Sequence, residues 1–265
     1  MKIKLFLALF IVPFYFMQTA MAALQTKIVE YSIDNQQFAS TLVYDASNTQ
    51  KRPAIIMVPN WLGITDAALA DAKKIAERGY VVFMTDMYGV NIRPKNTDEA
   101  SAAAKTVRSD RAMMRTRINK ALDELKAQAQ TVPVDVSQLA AVGYCFGGGT
   151  VLELARSGAD VAGVVSFHGN LDTPNLADAK QIKAKVLVLH GANDPYVPEE
   201  QVATFSKEMR DANVDWQLVS FGGAVHSFTD PDANSEGARY NEKVAIRAYQ
   251  MMDNFLAEIF KPVAK

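Results

Sequence analysis

The most constraining feature of this chain is an apolar segment that runs directly into a cysteine flanked by glycines. Leu139 to Val142 precede the run Gly143-Tyr144-Cys145-Phe146-Gly147, and a helical pattern begins within the next few residues. A strand that turns sharply into a helix leaves no room for a Cβ two residues before or after the apex. The sequence therefore predicts a strand–turn–helix elbow with Cys145 at its apex.

Cys145 is the only cysteine among 265 residues. At the start of a helix, the aligned peptide dipoles favour the thiolate form of a cysteine over the thiol. The alternative is a buried structural cysteine, because unpaired cysteines are among the most buried residue types. The elbow favours a nucleophile.

Short β-branched segments alternate with longer amphipathic segments along the rest of the chain. Strands are predicted at 27–33 and 38–44, which form an N-terminal hairpin, and at 54–58, 80–84, 139–142, 163–167, 185–190 and 216–220. Helices are predicted at 65–78, 97–128, 148–157, 199–212 and 237–260. This alternation predicts an α/β fold with a mostly parallel central sheet and helices on both faces.

Residues 1–22 have the pattern of a signal peptide. Lys2 and Lys4 precede an apolar run from Leu5 to Met17, and Ala20-Met21-Ala22 supplies small residues for cleavage. The apolar run is shorter than the ~20 residues that a membrane-spanning helix needs, so an uncleaved anchor is the less favoured alternative. We expect cleavage after Ala22, export to the periplasm or outside the cell, no membrane attachment afterwards, and one domain over 23–265.

The charge pattern argues against a nucleic-acid partner. The chain carries 28 basic and 29 acidic residues, a formal net charge of −1, and these charges are mixed along the sequence. Nucleic-acid-binding proteins usually concentrate basic residues in a patch or tail.

Two polar residues that follow predicted strands fit the partners of a cysteine nucleophile. In α/β hydrolases the chain order is nucleophile, acid, histidine, and ligands bind beyond the carboxyl ends of the strands. Asp194 follows the strand 185–190 and His226 follows the strand 216–220. They are predicted as the orienting acid and the general base. The alternatives are a turn or capping aspartate and a loop histidine with a structural hydrogen bond.

The other two histidines fit different roles. His190 closes an apolar strand and is expected to be packed and hydrogen-bonded, whereas His168 could line the substrate pocket. The spacing of the three histidines matches no compact ligand motif, so no metal site is expected.

Acyl transfer also needs donors for the developing oxyanion. The backbone N–H of Phe146, directly after the nucleophile, is the first expected donor. The second is expected from the loop 59–63 after an early strand, with the N–H of Trp61 favoured.

Several segments together resemble the dienelactone hydrolase family. They are Gly143-Tyr144-Cys145-Phe146-Gly147-Gly148, His190-Gly191-x-x-Asp194, Gly223-x-x-His226-Ser227-Phe228, Asp86-Met87-Tyr88-Gly89 and 164–170. The resemblance runs from about Lys27 to Phe260. It implies an α/β-hydrolase fold, a Cys145–His226–Asp194 triad, and hydrolysis of lactone or ester bonds without a cofactor.

Two positions depart from the family pattern. Asn60 stands where well-studied members carry a glutamate that contacts the resting thiol, and Val90 stands where they carry a substrate-binding arginine. Arg93 is close enough in sequence to replace that arginine. Asn60, Arg93 and His168 are therefore predicted to contact substrate, and dienelactone itself is placed in doubt.

The leading hypothesis is an exported cysteine-dependent hydrolase acting on a small ester or lactone. A cysteine peptidase or acyltransferase on the same fold is a second enzyme hypothesis. From a different class, the chain could be a catalytically silent α/β hydrolase that binds a small molecule or a protein partner.

Overall fold

The structure is a computed structural model that describes residues 24–260. The predicted signal peptide, residues 1–22 with cleavage after Ala22, lies outside the described residues. Within residues 24–260, no helix combines the length and the apolarity that crossing a membrane requires.

Among residues 24–260, eight strands form one sheet. They are β1 (Leu24–Ile33), β2 (Gln36–Asp45), β3 (Arg52–Val58), β4 (Val81–Met84), β5 (Val134–Tyr144), β6 (Gly163–Phe167), β7 (Lys185–Gly191) and β8 (Trp216–Phe221). Their spatial order is β1-β2-β4-β3-β5-β6-β7-β8. β2 pairs antiparallel with both β1 and β4, and all other neighbours are parallel. The sheet has the predicted mostly parallel arrangement, with β5, the strand that leads to Cys145, near its centre.

In the described part of the chain, six α-helices cover the two faces of the sheet. They are α1 (Asp66–Ala76), α2 (Thr97–Ser109), α3 (Arg111–Ala127), α4 (Phe146–Arg156), α5 (Glu199–Asp211) and α6 (Glu242–Ile259). Buried side chains of α1 and α6 form one core layer, and those of α2 to α5 form the other. The central strands are apolar on both faces because each face is buried under helices. The predicted fold class is confirmed.

Two predicted helix boundaries are wrong. The single helix expected over 97–128 is two helices, because Asp110 has a non-helical backbone and its side chain accepts a hydrogen bond from the N–H of Met113, which caps α3. The helix expected over 237–260 begins only at Glu242, where Asn241 caps it. The preceding residues instead form the loop that carries His226, closed by a backbone hydrogen bond from His226 N to Gly237 O of 3.2 Å.

The helix after Cys145 is fixed at its far end by a buried ion pair. The guanidinium of Arg156 donates two hydrogen bonds of 2.8 Å to the carboxylate of Glu208 in α5, and a third of 3.1 Å to Glu153. All three side chains are essentially inaccessible to solvent.

Arg156→Ala is expected to lower the free energy of unfolding by about 3–5 kcal/mol, because it leaves the buried carboxylate of Glu208 without its cation and removes one of the two arginines that pair with Glu153. Chemical denaturation measures this loss. The control is Arg210→Ala at an exposed position of α5, where a change within about 0.5 kcal/mol is expected. Equal effects of the two variants would contradict the assignment of a buried ion pair.

Candidate active site

Cys145 lies at the apex of a sharp turn between β5 and α4. Its backbone has φ 54° and ψ −117°, a left-handed conformation that a non-glycine residue adopts only at a cost. Its N–H donates to the carbonyl oxygen of Phe167 at 3.0 Å and to Nδ1 of His168 at 3.2 Å. The structure thus shows the strand–turn–helix elbow that the glycine spacing predicts, with a partly exposed thiol at the first turn of a helix.

The two flanking glycines are required by close backbone approaches. A Cβ on Gly143 would lie 2.0 Å from the carbonyl oxygen of Gly147, and a Cβ on Gly147 would lie 2.1 Å from the carbonyl oxygen of Val58. Because backbone atoms cannot move aside as a flexible side chain can, the start of α4 packs against the end of β3 only if Gly147 has no side chain.

Gly147→Ala is therefore expected to reduce the melting temperature by several degrees and to lower the yield of folded protein. The matched control is Gly222→Ala, where a Cβ would meet nothing within 4 Å. Thermal unfolding of both variants checks the prediction, and a stable, fully active Gly147→Ala protein would refute the packing argument.

Asp194 and His226 meet beyond the carboxyl ends of β7 and β8. Nδ1 of His226 lies 2.7 Å from Oδ2 of Asp194, and the Asp194 side chain is fully buried. The other carboxylate oxygen accepts the N–H of Tyr196 at 2.8 Å, so the aspartate also forms a turn. Since Nδ1 donates to Asp194, Nε2 is the ring nitrogen left for Cys145.

The charge state of His226 is set by opposing influences. Burial alone would lower its pKa, but hydrogen bonds to Asp194 and Cys145, together with electrostatic interactions with both, raise the pKa of His226 to about 10. A histidine that stays protonated at neutral pH is the partner that a resting thiolate requires. The contacts therefore favour a protonated His226, held by the buried carboxylate of Asp194 beside Cys145.

This raised pKa predicts how stability depends on pH. Because the pKa of His226 is higher in the folded protein than its ordinary value of 6.5, the proton bound to His226 stabilises the folded state. The contribution is complete below about pH 6.5 and is lost as the pH rises through about 10. The difference in free energy of unfolding between wild type and His226→Gln should shrink by more than about 1.4 kcal/mol from about pH 6 to about pH 10.5. Urea unfolding across this range measures the difference, and parallel curves would contradict the assignment.

His168 and His190 are both buried near the site and both are held neutral. Burial lowers the pKa of His168 well below its usual range, and the nearby His226 lowers it further. Burial also lowers the pKa of His190, whose Nδ1 has no hydrogen-bond partner among residues 24–260. Neither is hydrogen-bonded to Asp194, so His226 alone of the three histidines makes that contact.

The two predicted oxyanion donors are the backbone N–H groups of Phe146 and Trp61. Phe146 is the first residue of α4, so its N–H has no hydrogen-bond acceptor within the helix. The carbonyl of Asn60 accepts the N–H of Gly63 at 3.0 Å, so the N–H of Trp61 on the same trans peptide points the opposite way. Neither amide donates to any residue that the structure describes.

Asn60 and Arg93 are placed differently from each other. Asn60 lines a cavity of about 180 Å³ beside the site, together with Tyr144, His168 and Thr229, and its Oδ1 accepts the N–H of Leu62.

Arg93 is bound to the buried carboxylate of Asp86, with nitrogen–oxygen distances of 2.8 and 3.2 Å, and also donates to the carbonyl of Gly89. Both terminal nitrogens of Arg93 are thus occupied. This geometry gives Arg93 a role in holding its own loop, and its predicted contact with substrate stays a prediction.

Sequence reasoning missed three residues at the site. Tyr88 donates from its hydroxyl to the carbonyl of Trp61 at 2.8 Å and packs against Phe146. Tyr196 presents its exposed ring edge-on to His226, with centroids 5.3 Å apart. Thr229 contacts His168. Tyr88 and Tyr196 each lie two residues after a buried aspartate, a spacing that could have identified them.

Within residues 24–260, no group of three or more histidine, cysteine, aspartate or glutamate side chains is arranged to hold a metal ion.

Comparisons with known proteins identify relatives of this chain. A sequence profile of the dienelactone hydrolase family matches residues 39–260. An uncharacterised protein of Caenorhabditis elegans is 37% identical over 158 residues, covering 56% of this chain and 94% of its own length. A probable 2-oxo-3-(5-oxofuran-2-ylidene)propanoate lactonase of Bradyrhizobium is 27% identical, covering 68% and 75%.

Among solved structures, a dienelactone hydrolase-like promiscuous phosphotriesterase from metagenomic libraries superimposes with a TM-score of 0.85 at 35% identity. It covers 90% of this chain and 99% of its own. The family profile spans nearly the whole described region, including the elbow, Asp194 and His226. This chain belongs to the dienelactone hydrolase family.

Proposed function

We propose that this protein hydrolyses small carboxylic esters or lactones with Cys145 as nucleophile, His226 as acid and base, and Asp194 as the carboxylate that orients His226. Members of its family hydrolyse lactone and ester bonds. The observation that carries the proposal is the buried 2.7 Å contact between Asp194 and a His226 that also interacts with Cys145.

The first half-reaction forms a thioester. The Cys145 thiolate attacks the carbonyl carbon, and the oxygen that becomes negative accepts hydrogen bonds from the amides of Phe146 and Trp61. As the tetrahedral intermediate collapses, the carbon–oxygen bond breaks and Nε2 of His226 gives its proton to the departing alkoxide. In a lactone this opens the ring and leaves the alcohol attached to the acyl group.

The second half-reaction restores the enzyme. Neutral His226 takes a proton from water, and the hydroxide formed attacks the thioester carbon. Collapse of this intermediate breaks the carbon–sulfur bond, releases the carboxylic acid and returns the thiolate beside protonated His226. Asp194 stabilises the imidazolium at each stage and keeps Nε2 directed at the reacting atoms.

Uncharged esters and lactones are the substrates we propose. Val90 provides no cation, and both terminal nitrogens of Arg93 already donate to Asp86 or to Gly89. The charge of Arg93 is thus already paired with Asp86, so an anionic substrate would meet no unpaired arginine at this position.

Phosphotriester hydrolysis is a second candidate activity. The relative named as a promiscuous phosphotriesterase is 35% identical over nearly the whole described chain. The same thiolate would attack phosphorus and the same His226 would protonate the leaving group. A p-nitrophenyl dialkyl phosphate, assayed beside a p-nitrophenyl ester, compares the two activities.

The test of the proposed function is direct detection of the acyl-enzyme. The protein is mixed with p-nitrophenyl acetate and with small lactones, quenched in acid, digested and examined by mass spectrometry. An acetyl mass on the peptide that contains Cys145, formed and lost at the rate of turnover, supports the mechanism. Turnover without this adduct would overturn it, and absence of both would favour the silent binding protein.

We also propose that the protein is exported. The pattern of residues 1–22 carries this proposal, and the mature N-terminus is the measurement. Expression of the full chain followed by N-terminal sequencing should give Ala23 as the first residue. A mature protein that still begins at residue 1 in the cytoplasm would contradict it.

A further inference from the structure

His168 links the nucleophile to the loop that carries the general base. It follows β6, is 2% exposed, and has a positive φ of 39°. On one side of its ring Nδ1 lies 3.2 Å from the backbone nitrogen of Cys145, and on the other side Nε2 lies 2.8 Å from Oγ1 of Thr229. Thr229 lies three residues after His226 on the same loop.

These two contacts determine the tautomer of His168. A backbone N–H can only donate, so Nδ1 must be the unprotonated acceptor. The ring proton therefore lies on Nε2 and is donated to Thr229. Protonation of Nδ1 would break the bond to Cys145 and place a second cation beside His226, whose ring centroid is 5.1 Å away.

The remaining neighbours also fit a neutral ring. The rings of Phe228 and Tyr144 lie 5.0 and 6.4 Å from that of His168, and His226 is the charged group that faces it. Burial, reinforced by His226, lowers the pKa of His168 well below its ordinary value. Both nitrogens already bond to the protein, and the predicted contact of His168 with substrate stays a prediction.

We propose that His168 is a positioning residue that connects the backbone of Cys145 through Thr229 to the loop of His226, and so sets the sulfur against the imidazole. Cys145 has a strained backbone, and its N–H has only one other acceptor among the described residues, the carbonyl of Phe167. The His168 ring adds a second acceptor that is itself anchored beside His226.

Two substitutions separate the two halves of this link. In His168→Asn, the side-chain oxygen can occupy the position of Nδ1 and accept the N–H of Cys145, and asparagine tolerates a positive φ. In His168→Gln, the side-chain nitrogen can reach the position of Nε2 and Thr229, but the acceptor for Cys145 is lost.

The measurement is the rate at which iodoacetamide alkylates Cys145 near neutral pH. Because this is the only cysteine, the reaction reports on one sulfur and needs no substrate. The alkylation test depends on Cys145 and His226 as an interacting pair but not on ester turnover. Its result can therefore be interpreted even if the proposed hydrolysis fails. We expect alkylation in His168→Gln to be at least about tenfold slower than in His168→Asn, because small displacements of a reacting group have large effects on rate.

Equal alkylation rates in the two His168 variants would overturn the proposal. So would ester kinetics in which KM rises and kcat is unchanged, since that split indicates a substrate contact. If His168→Gln does not fold, Thr229→Val and Thr229→Ser carry the test. The valine variant should alkylate more slowly than the serine variant, which keeps the hydroxyl, and equal rates would again overturn the proposal.

Discussion

Replacing Cys145 with alanine is expected to reduce kcat for ester hydrolysis by about 10³-fold or more, because removal of the nucleophile from a triad leaves only binding and oxyanion stabilisation. The alanine side chain fits the space of the thiol, so the fold should persist. Steady-state hydrolysis of p-nitrophenyl acetate measures the loss, and thermal unfolding confirms that the variant is folded.

Cys145→Ser tests whether activity needs the sulfur itself or only a side chain of similar shape that can attack the substrate. Serine retains an atom that can attack, but its hydroxyl is not ionised by a neighbouring imidazolium at neutral pH as a thiol can be. We expect residual activity above that of the alanine variant and well below wild type. Wild-type activity in Cys145→Ala would exclude the proposed mechanism.

Asp194→Asn is expected to reduce kcat by about 10³–10⁴-fold while the protein stays folded. The asparagine oxygen can still accept the N–H of Tyr196, so the turn after β7 is kept. Its amide nitrogen is a donor, however, and cannot accept the N–H at Nδ1 of His226. The imidazole must then change tautomer or rotate, and it loses the carboxylate that stabilises its positive charge.

The pH dependence of alkylation distinguishes this effect from simple disorder. With Asp194 neutralised, one of the interactions that raise the pKa of His226 to about 10 is removed, so His226 should lose its proton at lower pH. The control is Asp211→Asn at an exposed position of α5, which should behave as wild type. A kcat within a few-fold of wild type in Asp194→Asn would show that this carboxylate does not orient the base.

Much of the fold follows from local sequence patterns. The apolar β-branched segments predict β3, β4, β6, β7 and β8 to within a few residues, because a strand buried on both faces must be apolar at nearly every position. The glycines around Cys145 predict the elbow for a similarly local reason: only glycine fits where α4 meets β3 and β5.

Helix boundaries depend on side chains whose effect is less visible in sequence. Residues 97–128 have a continuous helical pattern, yet the side chain of Asp110 bonds to the N–H of Met113 and starts a new helix. Asn241 acts in the same way at the start of α6. In both places a short polar side chain competes with the helical backbone for hydrogen bonds, and packing decides the outcome.

The sequence alone identified the residues of the candidate site: one cysteine in a glycine elbow, followed by an aspartate and a histidine after later strands. These assignments rest on short segments in which the backbone requires particular residues. Only the tertiary structure decided how the remaining polar groups are used. Arg93 is bound to Asp86, and His168 joins Cys145 to Thr229. No local sequence pattern indicates either set of partners, and those of His168 are also distant in the chain. A hydrogen bond depends on distances between atoms that the folded sheet brings together, and that information is absent from any short stretch of sequence.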